Sequence, residues 1–517
     1  LLGAWLPWGQ GGAQALAILR EMASTVLPGY FWTTLWLGLW VALGAAGVGM
    51  ATAAAVTLFD FPGRRQMEWL LLLPLAMPAY VTAYAYTDFL QFSGPLQTWL
   101  RAGFGLEGRV LPEVRSLGGA VWVFIFALYP YVYLLARTAL GERAAHLMEA
   151  ARLMGAPLSR RVRTVALPLA RPAVAAGVAL VLMETLADFG VVSYFGIQTF
   201  TTGIYKAWLS MDNRLAAAQL ASMLLALVLA LLWLEQRAQR RMRFATSSTG
   251  RAGSAEAQPQ RLAGWRCAGA WAVCLLPVLM GFVAPVAFML RPLAADWSVL
   301  PWDRFVEWAA NSVRLGAITA VLAVALALAL AFAVRRRADR TTRAVVRLAS
   351  AGYAVPGAVI VVGLLLPVGW LQAAMPQWGI GALVTTTAVG IVWAYLVRFC
   401  AVALQSVQSG YARIPASFDD AARMLGTGGW GLLRRVHWPL LRRSTAAALL
   451  LVFVDVMKEL PATIVLRPFN SDTLAVVAYQ LARDERLGEA ALPSLALVAV
   501  GLVPVILLSR TLRARGP

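Results

Sequence analysis

Long apolar runs dominate this 517-residue sequence and set the first limit on its fold. Eleven of them are long enough to cross a bilayer as helices, since a membrane helix needs about 20 apolar residues. Inside a bilayer each backbone polar group must be paired within the protein, which favours helices for runs of this length. The runs lie at 31–57, 68–90, 118–139, 173–195, 214–235, 268–290, 311–334, 344–368, 381–404, 444–466 and 490–511. The sequence therefore predicts an all-α, polytopic transmembrane helical bundle.

Basic residues are concentrated between the apolar runs. The chain has 45 Lys and Arg against 25 Asp and Glu, for a formal net charge of +20. Such a charge could suit nucleic acid, but its clustering in short connecting segments is typical of cytoplasmic loops under the positive-inside rule. We therefore expect a lipid membrane around the chain and no nucleic-acid partner. The three cysteines lie in or beside apolar runs and predict neither a disulfide framework nor a metal cluster.

One stretch occurs twice and divides the chain into two homologous halves. EAARLMGAPLSRRVRTVALP at 149–168 and DAARMLGTGGWGLLRRVHWP at 420–439 share an acid, two alanines, a glycine and a proline in register. Three landmarks have the same offset, because 420−149, 426−155 and 439−168 each equal 271. An offset of 278 relates Pro78 to Pro356 in the preceding part of each half. The predicted organisation is a first half at 1–235, a linker at 236–266 and a second half at 267–517.

Each copy of the repeated stretch predicts two short helices joined at a sharp corner. Gly155 and Gly426 can adopt the positive φ that ends a helix, and a basic amphipathic segment follows each of them. Taken alone, without the repeat, that segment would favour a helix lying on a membrane surface. The two histidines, His146 and His437, fall in or beside these segments and are predicted to be solvated.

The repeated pattern resembles the cytoplasmic loop of permeases from bacterial binding-protein-dependent ABC importers. The resemblance implies the type I ABC importer permease fold in the bacterial inner membrane, with a periplasmic substrate-binding protein and two ABC ATPase subunits as partners. In that family the first helix of the loop docks into a groove on the ATPase. Asp420 departs from the usual Glu but keeps its charge. The implied docking residues are Glu149, Ala150, Ala151, Gly155, Asp420, Ala421, Ala422 and Gly426.

The chain is expected to be a transport permease and not an enzyme. It lacks a GxxxxGK[ST] phosphate-binding loop, so ATP hydrolysis must come from a partner. We expect no cofactor on this chain, with ATP and Mg held by the partner ATPase. Orientation gives a further expectation, because five runs in the first half and six in the second place the two N-termini on opposite sides. An additional helix equivalent to 268–290 is therefore expected before residue 1.

Charged residues recur at matched positions in the apolar runs that follow the repeat. The 271 offset places Glu184 opposite Asp455 and Asp188 opposite Glu459, with Lys458 as a nearby cation. Charges at membrane depth are costly and usually face a bundle interior or a wet cavity. These five residues are the predicted pathway residues, and a ring of such carboxylates could conduct a ferric ion or another cation. Structural ion pairs or helix caps remain an equal alternative, and metal ligands are not assigned.

Two stretches narrow the resemblance to the ferric-iron branch of these permeases. They are ETLADFGVVSYFGIQTFTTGIYKAW and MKELPATIVLRPFNSDTLAVVAYQLARDERLGEAALPS. The resemblance implies that a periplasmic binding protein delivers Fe(III) to a path through the permease. Alternatives are the thiamine branch, which shares the fused architecture, and the polyamine, phosphonate and sulfate branches. A proton-coupled carrier that uses Glu184 and Asp455 as a relay belongs to a different class.

Overall fold

The computed structural model describes residues 5, 11–141, 145–246, 259–295, 297–298, 300–337 and 339–513. Its described residues are almost entirely helical, which confirms the predicted all-α class. The first half contains α1 Gly11–Ser24, α2 Leu27–Leu58, α3 Arg64–Leu70, α4 Ala79–Leu90, α5 Pro95–Phe104, α6 Leu117–Ala139, α7 Ala145–Leu153, α8 Leu158–Arg161, α9 Leu167–Ala187, α10 Gly190–Tyr194, α11 Phe200–Tyr205 and α12 Arg214–Thr246.

The second half repeats much of this order. Its helices are α13 Trp265–Val278, α14 Ala284–Ala295, α15 Trp302–Arg336, α16 Arg340–Ala351, α17 Gly357–Ala374, α18 Ile380–Thr386, α19 Ala388–Tyr411, α20 Ala416–Met424, α21 Trp430–Leu432, α22 Trp438–Lys458, α23 Pro461–Leu466, α24 Leu474–Arg483 and α25 Leu487–Arg513. Two-residue strands, β1 Phe59–Asp60 and β2 Gln260–Arg261, pair in parallel. The middle of the predicted linker, at 247–258, lies outside the described residues.

Two of the predicted spans are broken at matched prolines. The run at 68–90 bends by 88° between Arg64–Ala76 and Ala79–Phe104, and the run at 344–368 is divided between α16 and α17. Met77 and Val355, which precede Pro78 and Pro356, are extended, with ψ of 124° and 121°. A residue that precedes proline is driven out of the helical region by steric conflict with the ring. The common break supports the 278 offset.

The number of continuous spans is lower than predicted. Among the described residues nine helices are long and apolar enough to cross a membrane, or ten if the bent pair counts as one span. The predicted run at 444–466 is absent from that set. Its helix, α22, carries Arg442, Arg443, Asp455 and Lys458 and ends before α23 begins at Pro461. The matched break between α9 and α10 occurs before Gly190.

Three helices cross closely at the centre of each half. In the first half these are α2, α6 and α9, and in the second half they are α15, α19 and α22. A Cβ atom on Gly49 would lie 2.6 Å from Val132 Cβ, and one on Gly177 would lie 2.7 Å from Val132 Cα. The two offsets match Gly49, Val132 and Gly177 to Ala327, Ala403 and Ala448, which are all fully buried. Small residues at these positions let membrane helices approach closely.

The described residues form two compact units that do not coincide with the sequence halves. The smaller unit is Pro301–Val477, and the larger unit comprises the described residues up to Leu300 and from Ala478. Helices α13, α14 and α25 therefore belong to the larger unit. Tyr86 on α4 donates a hydrogen bond to the carbonyl of Met280 at 2.7 Å, and Phe89 stacks on Phe288 at 3.9 Å. The homologous division at 1–235, 236–266 and 267–517 remains a prediction about the repeat.

Candidate functional site

The first repeated stretch has the predicted helix, corner and second helix. Helix α7 ends at Leu153, and Gly155 follows it with a φ of +80°. The amide of Ala156 donates a hydrogen bond to the carbonyl of Ala151 at 3.0 Å. The amide of Gly155 donates one to the carbonyl of Arg152 at 2.9 Å. These two bonds constitute a Schellman motif, in which a glycine with positive φ closes the helix. We call residues 145–166 the first docking segment.

The second stretch reproduces this corner. Helix α20 ends at Met424, and Gly426 follows it with a φ of +73°. The amide of Thr427 donates a hydrogen bond to the carbonyl of Ala422 at 2.8 Å. The amide of Gly426 donates one to the carbonyl of Arg423 at 2.9 Å. Five-residue π-helical turns, Val162–Ala166 and Leu433–His437, then lead into α9 and α22. Residues 416–437 are the second docking segment.

Both corners expose a pair of large apolar side chains. Leu153 and Met154 are 85% and 81% exposed, and Met424 and Leu425 are 88% and 85% exposed. The predicted docking alanines behave alike, because Ala150 and Ala421 are exposed while Ala151 and Ala422 are buried.

The acidic positions of the two segments are described to different extents. The side chain of Glu149 lies outside the described residues. Asp420 is exposed and pairs with Arg423 at 3.6 Å. The assignment of all eight residues to docking remains a prediction, which the matched geometry makes testable.

A buried polar cluster supports the second docking segment. Asp419, next to the predicted Asp420, accepts a hydrogen bond from Arg335 Nε at 2.8 Å. Its other carboxylate oxygen forms a hydrogen bond with His437 Nε2 at 3.0 Å. The other ring nitrogen of His437 lies 3.3 Å from the Tyr411 hydroxyl. These four residues are the Asp419 cluster. It ties α20 to the C-terminal end of α15 and to the π-helical turn.

Two features of the Asp419 cluster bear on its charge state. Burial raises the pKa of the Asp419 carboxyl, but hydrogen bonds from Arg335 and His437 outweigh that effect and hold its pKa below the ordinary value. His437 is 0% exposed, so the prediction that it is solvated was wrong. Arg335 additionally donates to the carbonyls of Ile414 and Pro415, at 3.1 and 3.0 Å.

The matched positions of the first docking segment are largely apolar. The two offsets match the four residues of the Asp419 cluster to four residues of the first half. One of these carries a hydroxyl, and the other three are apolar and buried. The matched residues are Leu140 for Tyr411, Met148 for Asp419, Ala166 for His437 and Thr57 for Arg335. The same corner is thus supported by packing in one half and by charge in the other.

Two of the predicted pathway residues cap short helices. Asp188 accepts a hydrogen bond from the amide of Val191 at 2.9 Å at the start of α10. Glu459 accepts from the amides of Ala462 and Thr463, at 2.9 and 3.0 Å, at the start of α23. Glu459 is buried and lies 3.5 Å from Arg398 Nη1. These contacts agree with the alternative of caps and ion pairs.

The other pathway residues lie near the ends of the preceding helices. Glu184 on α9 and Asp455 on α22 are half-buried. Lys458, the last residue of α22, interacts electrostatically with Asp455. Among the described residues no three His, Cys, Asp or Glu side chains gather into a group that could hold a metal ion. A pathway role for these residues remains a prediction.

Sequence reasoning missed the Asp419 cluster and the partner of Glu459. The doubled acid at 419–420 was the available signal for Asp419, but the repeat register pointed only to its exposed neighbour. Arg398 lies within an apolar helix, where a single charge already suggests a buried partner.

Comparisons with known proteins identify the family. The family described as binding-protein-dependent transport system inner membrane component matches residues 45–244 and again 321–514. The Fe(3+)-transport system permease protein FbpB 2 of Haemophilus influenzae is 24% identical over 484 residues, covering 92% of this chain and 88% of that protein. The probable ABC transporter permease protein y4fN of Sinorhizobium fredii is 24% identical over 513 residues, covering 93% and 87%.

A shorter relative aligns with only part of the chain. The sulfate transport system permease protein CysW of Escherichia coli is 34% identical over 163 residues, covering 31% of this chain and 54% of that protein. The doubled family match agrees with the fused two-half architecture and with the apolar helices described above. The chain therefore belongs to the binding-protein-dependent transport system inner membrane components, as a multi-pass, non-catalytic permease of an ABC importer.

Proposed function

We propose that this permease moves ferric iron, delivered by a periplasmic binding protein, into the cytoplasm. The observation that carries the proposal is the match to an Fe(3+)-transport permease over 92% of this chain. Sulfate and 2-aminoethylphosphonate permeases match shorter parts, at 31% and 45% of the chain. These partial matches favour the common permease fold over a shared substrate. Thiamine is the further alternative, since its permeases have the same fused architecture.

We also propose that two ABC ATPase subunits, which bind ATP and Mg, dock on the two docking segments. Each segment presents two exposed apolar side chains at a helix end. Such side chains are what an apolar groove on a partner protein binds. The eight predicted docking residues surround these corners. A permease of this kind needs no cofactor of its own, because the partner supplies the free energy of ATP hydrolysis.

The substrate is tested in vesicles that contain this chain and its ATPase. The binding protein is added in turn without ligand, loaded with Fe(III), and loaded with thiamine, and both ATP hydrolysis and uptake are measured. We expect stimulation and uptake with Fe(III) alone. Stimulation by thiamine alone would reject the ferric assignment and leave the permease architecture intact.

The docking proposal is tested by changing both corner glycines. No atom lies within 4 Å of a Cβ placed on Gly155 or Gly426, so a new side chain projects outward without an internal clash. Gly155→Glu with Gly426→Glu should abolish co-purification of the ATPase while the permease still inserts. The Gln pair is the matched control, because Gln carries the same strain as Glu at positive φ and adds no charge. Normal co-purification of the Glu pair would count against docking at these corners.

The proton-coupled carrier is separated from the importer by omitting the ATPase. A carrier that relays protons through Glu184 and Asp455 would continue to transport when a pH gradient is imposed. An importer stops, whatever the gradient. We expect no uptake without the ATPase at any imposed pH difference.

A further inference from the structure

We propose that four tyrosines and one aspartate of the larger unit form an oxygen-donor site for the transported ferric ion. The proposal rests on the ferric function proposed above. The residues are Tyr80, Tyr84, Tyr194, Tyr479 and Asp188, which we call the Tyr84 cluster. They were not singled out as a group by sequence pattern, because they come from three separate stretches of the chain.

Tyr84 is the centre of this cluster. Its side chain is 1% exposed, and within the described part of the chain its hydroxyl has no hydrogen-bond partner. The Tyr84 ring lies 4.7 Å from that of Tyr194 and 5.7 Å from that of Tyr80. Asp188 and Tyr479 join these rings through α10, which carries Tyr194, because Asp188 caps the first turn of α10 and Tyr479 contacts Ser193 on it. A buried hydroxyl without a partner is costly, so its retention calls for a function.

Oxygens of Asp188 and Tyr479 are held in place by neighbouring groups. Asp188 caps α10 through one carboxylate oxygen. The hydroxyl of Tyr479 lies 2.8 Å from that of Ser193. Gly190 permits this arrangement, since a Cβ there would lie 2.6 Å from Tyr80 Cβ.

The second half provides an internal control for the packing. The offset of 278 relates Tyr80 and Tyr84 to Ala358 and Val362, and the offset of 271 relates Tyr194 to Val465. Ala358 and Val362 are buried in helix α17, which begins after the same proline break as α4. The fold thus accepts aliphatic residues at these places, and packing alone does not require the phenols.

The donor set suits a hard, highly charged cation. Fe(III) prefers oxygen ligands, and a phenol or carboxyl that binds a metal gives up its proton. Binding would form a bond between Tyr84 Oη and Fe(III) and release that proton to water. Asp188 supplies further negative charge. Arg115 donates to Tyr194 Oη at 3.1 Å, and Glu485 pairs with Arg115 at 2.6 Å.

The test compares Tyr84→Phe with Tyr86→Phe in the reconstituted permease with its ATPase. Tyr86 lies on the same helix, but its hydroxyl is satisfied by a backbone carbonyl and lies outside the cluster. We expect Tyr84→Phe to reduce Fe(III) uptake by about tenfold or more, because it removes the central oxygen ligand of the proposed site. Tyr86→Phe should stay within about twofold of the wild type, since it removes no donor from the site.

Two further measurements separate binding from structure. Tyr84→Phe should unfold at the same or a higher temperature than the wild type, because it removes an unpaired buried hydroxyl. Fe(III) nitrilotriacetate added to the wild-type permease with its ATPase should give the visible charge-transfer band of a phenolate–Fe(III) bond. Tyr84→Phe should weaken this band, and Ga(III), which cannot accept the electron, should give none.

The outcomes distinguish this site from the proposed function. Wild-type Fe(III) uptake by Tyr84→Phe, or an absent band in a wild-type complex that transports iron, would overturn the site and leave the ferric function standing. Failure of the wild-type complex to transport Fe(III) would reject the function and the site together.

Discussion

The two docking segments have the same backbone and different support. Both end a short helix with a glycine at positive φ, a Schellman motif and two exposed apolar side chains. Beneath the second corner lies the buried Asp419 cluster, whereas Met148, Leu140 and Ala166 fill the matched places of the first. The comparison shows that the corner needs a filled interior but does not prescribe its chemistry.

Around α4 and its counterpart α17 the polar residues lie in the first half and the apolar ones in the second, the reverse of the docking segments. There the larger unit carries the Tyr84 cluster, and the matched positions of the smaller unit are Ala358, Val362 and Val465. After duplication each half could therefore lose polar groups where the other kept them. This division of polar groups can be tested by exchanging residues between the two halves.

The largest effect is expected when the Asp419 cluster is broken one residue at a time. Asp419→Met leaves Arg335 and His437 buried without their shared partner, and should cost about 3 to 5 kcal/mol of stability. Replacing all four members by their matched residues, as Arg335→Thr, Tyr411→Leu, Asp419→Met and His437→Ala, should recover most of that loss. Unfolding in mixed micelles measures both. A fourfold variant less stable than Asp419→Met would contradict the equivalence of the two supports.

A smaller difference is expected between the two helix caps. Glu459→Ala removes the two hydrogen bonds that Glu459 accepts from backbone amides and its ion pair with Arg398, so a loss of about 3 kcal/mol is expected. Asp188→Ala removes a cap and should cost about 1 kcal/mol of stability. The same unfolding measurement compares them. Equal losses would show that the pair with Arg398 adds nothing.

The helix crossings predict that the small residues of the two halves cannot be exchanged without a backbone shift. Gly177→Ala places a methyl 2.7 Å from the Val132 Cα, so the helices must separate, at a cost of about 1 to 3 kcal/mol. Val132→Ala removes only γ-methyl groups and keeps the Cα and Cβ that new methyls on Gly177 and Gly49 would meet. Gly49→Ala, Val132→Ala and Gly177→Ala together, which copy the alanine set of the second half, should therefore be no more stable than Gly177→Ala alone. A triple variant clearly more stable than Gly177→Ala would show that the two crossings are interchangeable.

The smallest effect concerns pH. The pKa of Asp419 is lowered in the folded protein, so its stabilising contribution is complete above the ordinary carboxyl pKa of about 4. That contribution is lost as the pH falls through the lowered value. The stability difference between the wild type and the fourfold variant should therefore shift against the wild type below about pH 4. A difference independent of pH would mean that Asp419 does not titrate as its contacts imply.

Much of the architecture was predictable from local pattern. The helical runs, the repeat offsets and the corners at Gly155 and Gly426 follow from hydropathy and from the conformational freedom of glycine. The breaks after Met77 and Val355 were also visible in the sequence, since each precedes a proline, but the long apolar runs concealed them. Hydropathy averages over about 20 residues and does not register a single break.

The sequence by itself determined the membrane-spanning class, the duplication and the shape of the docking corners, because periodicity and φ preference depend on neighbouring residues. Tertiary structure alone decided that His437 is buried, that Asp419 meets Arg335 across 84 positions, and that Ser193 meets Tyr479 across 286. Contacts between distant segments depend on how whole helices pack. No local pattern records which polar groups that packing encloses together.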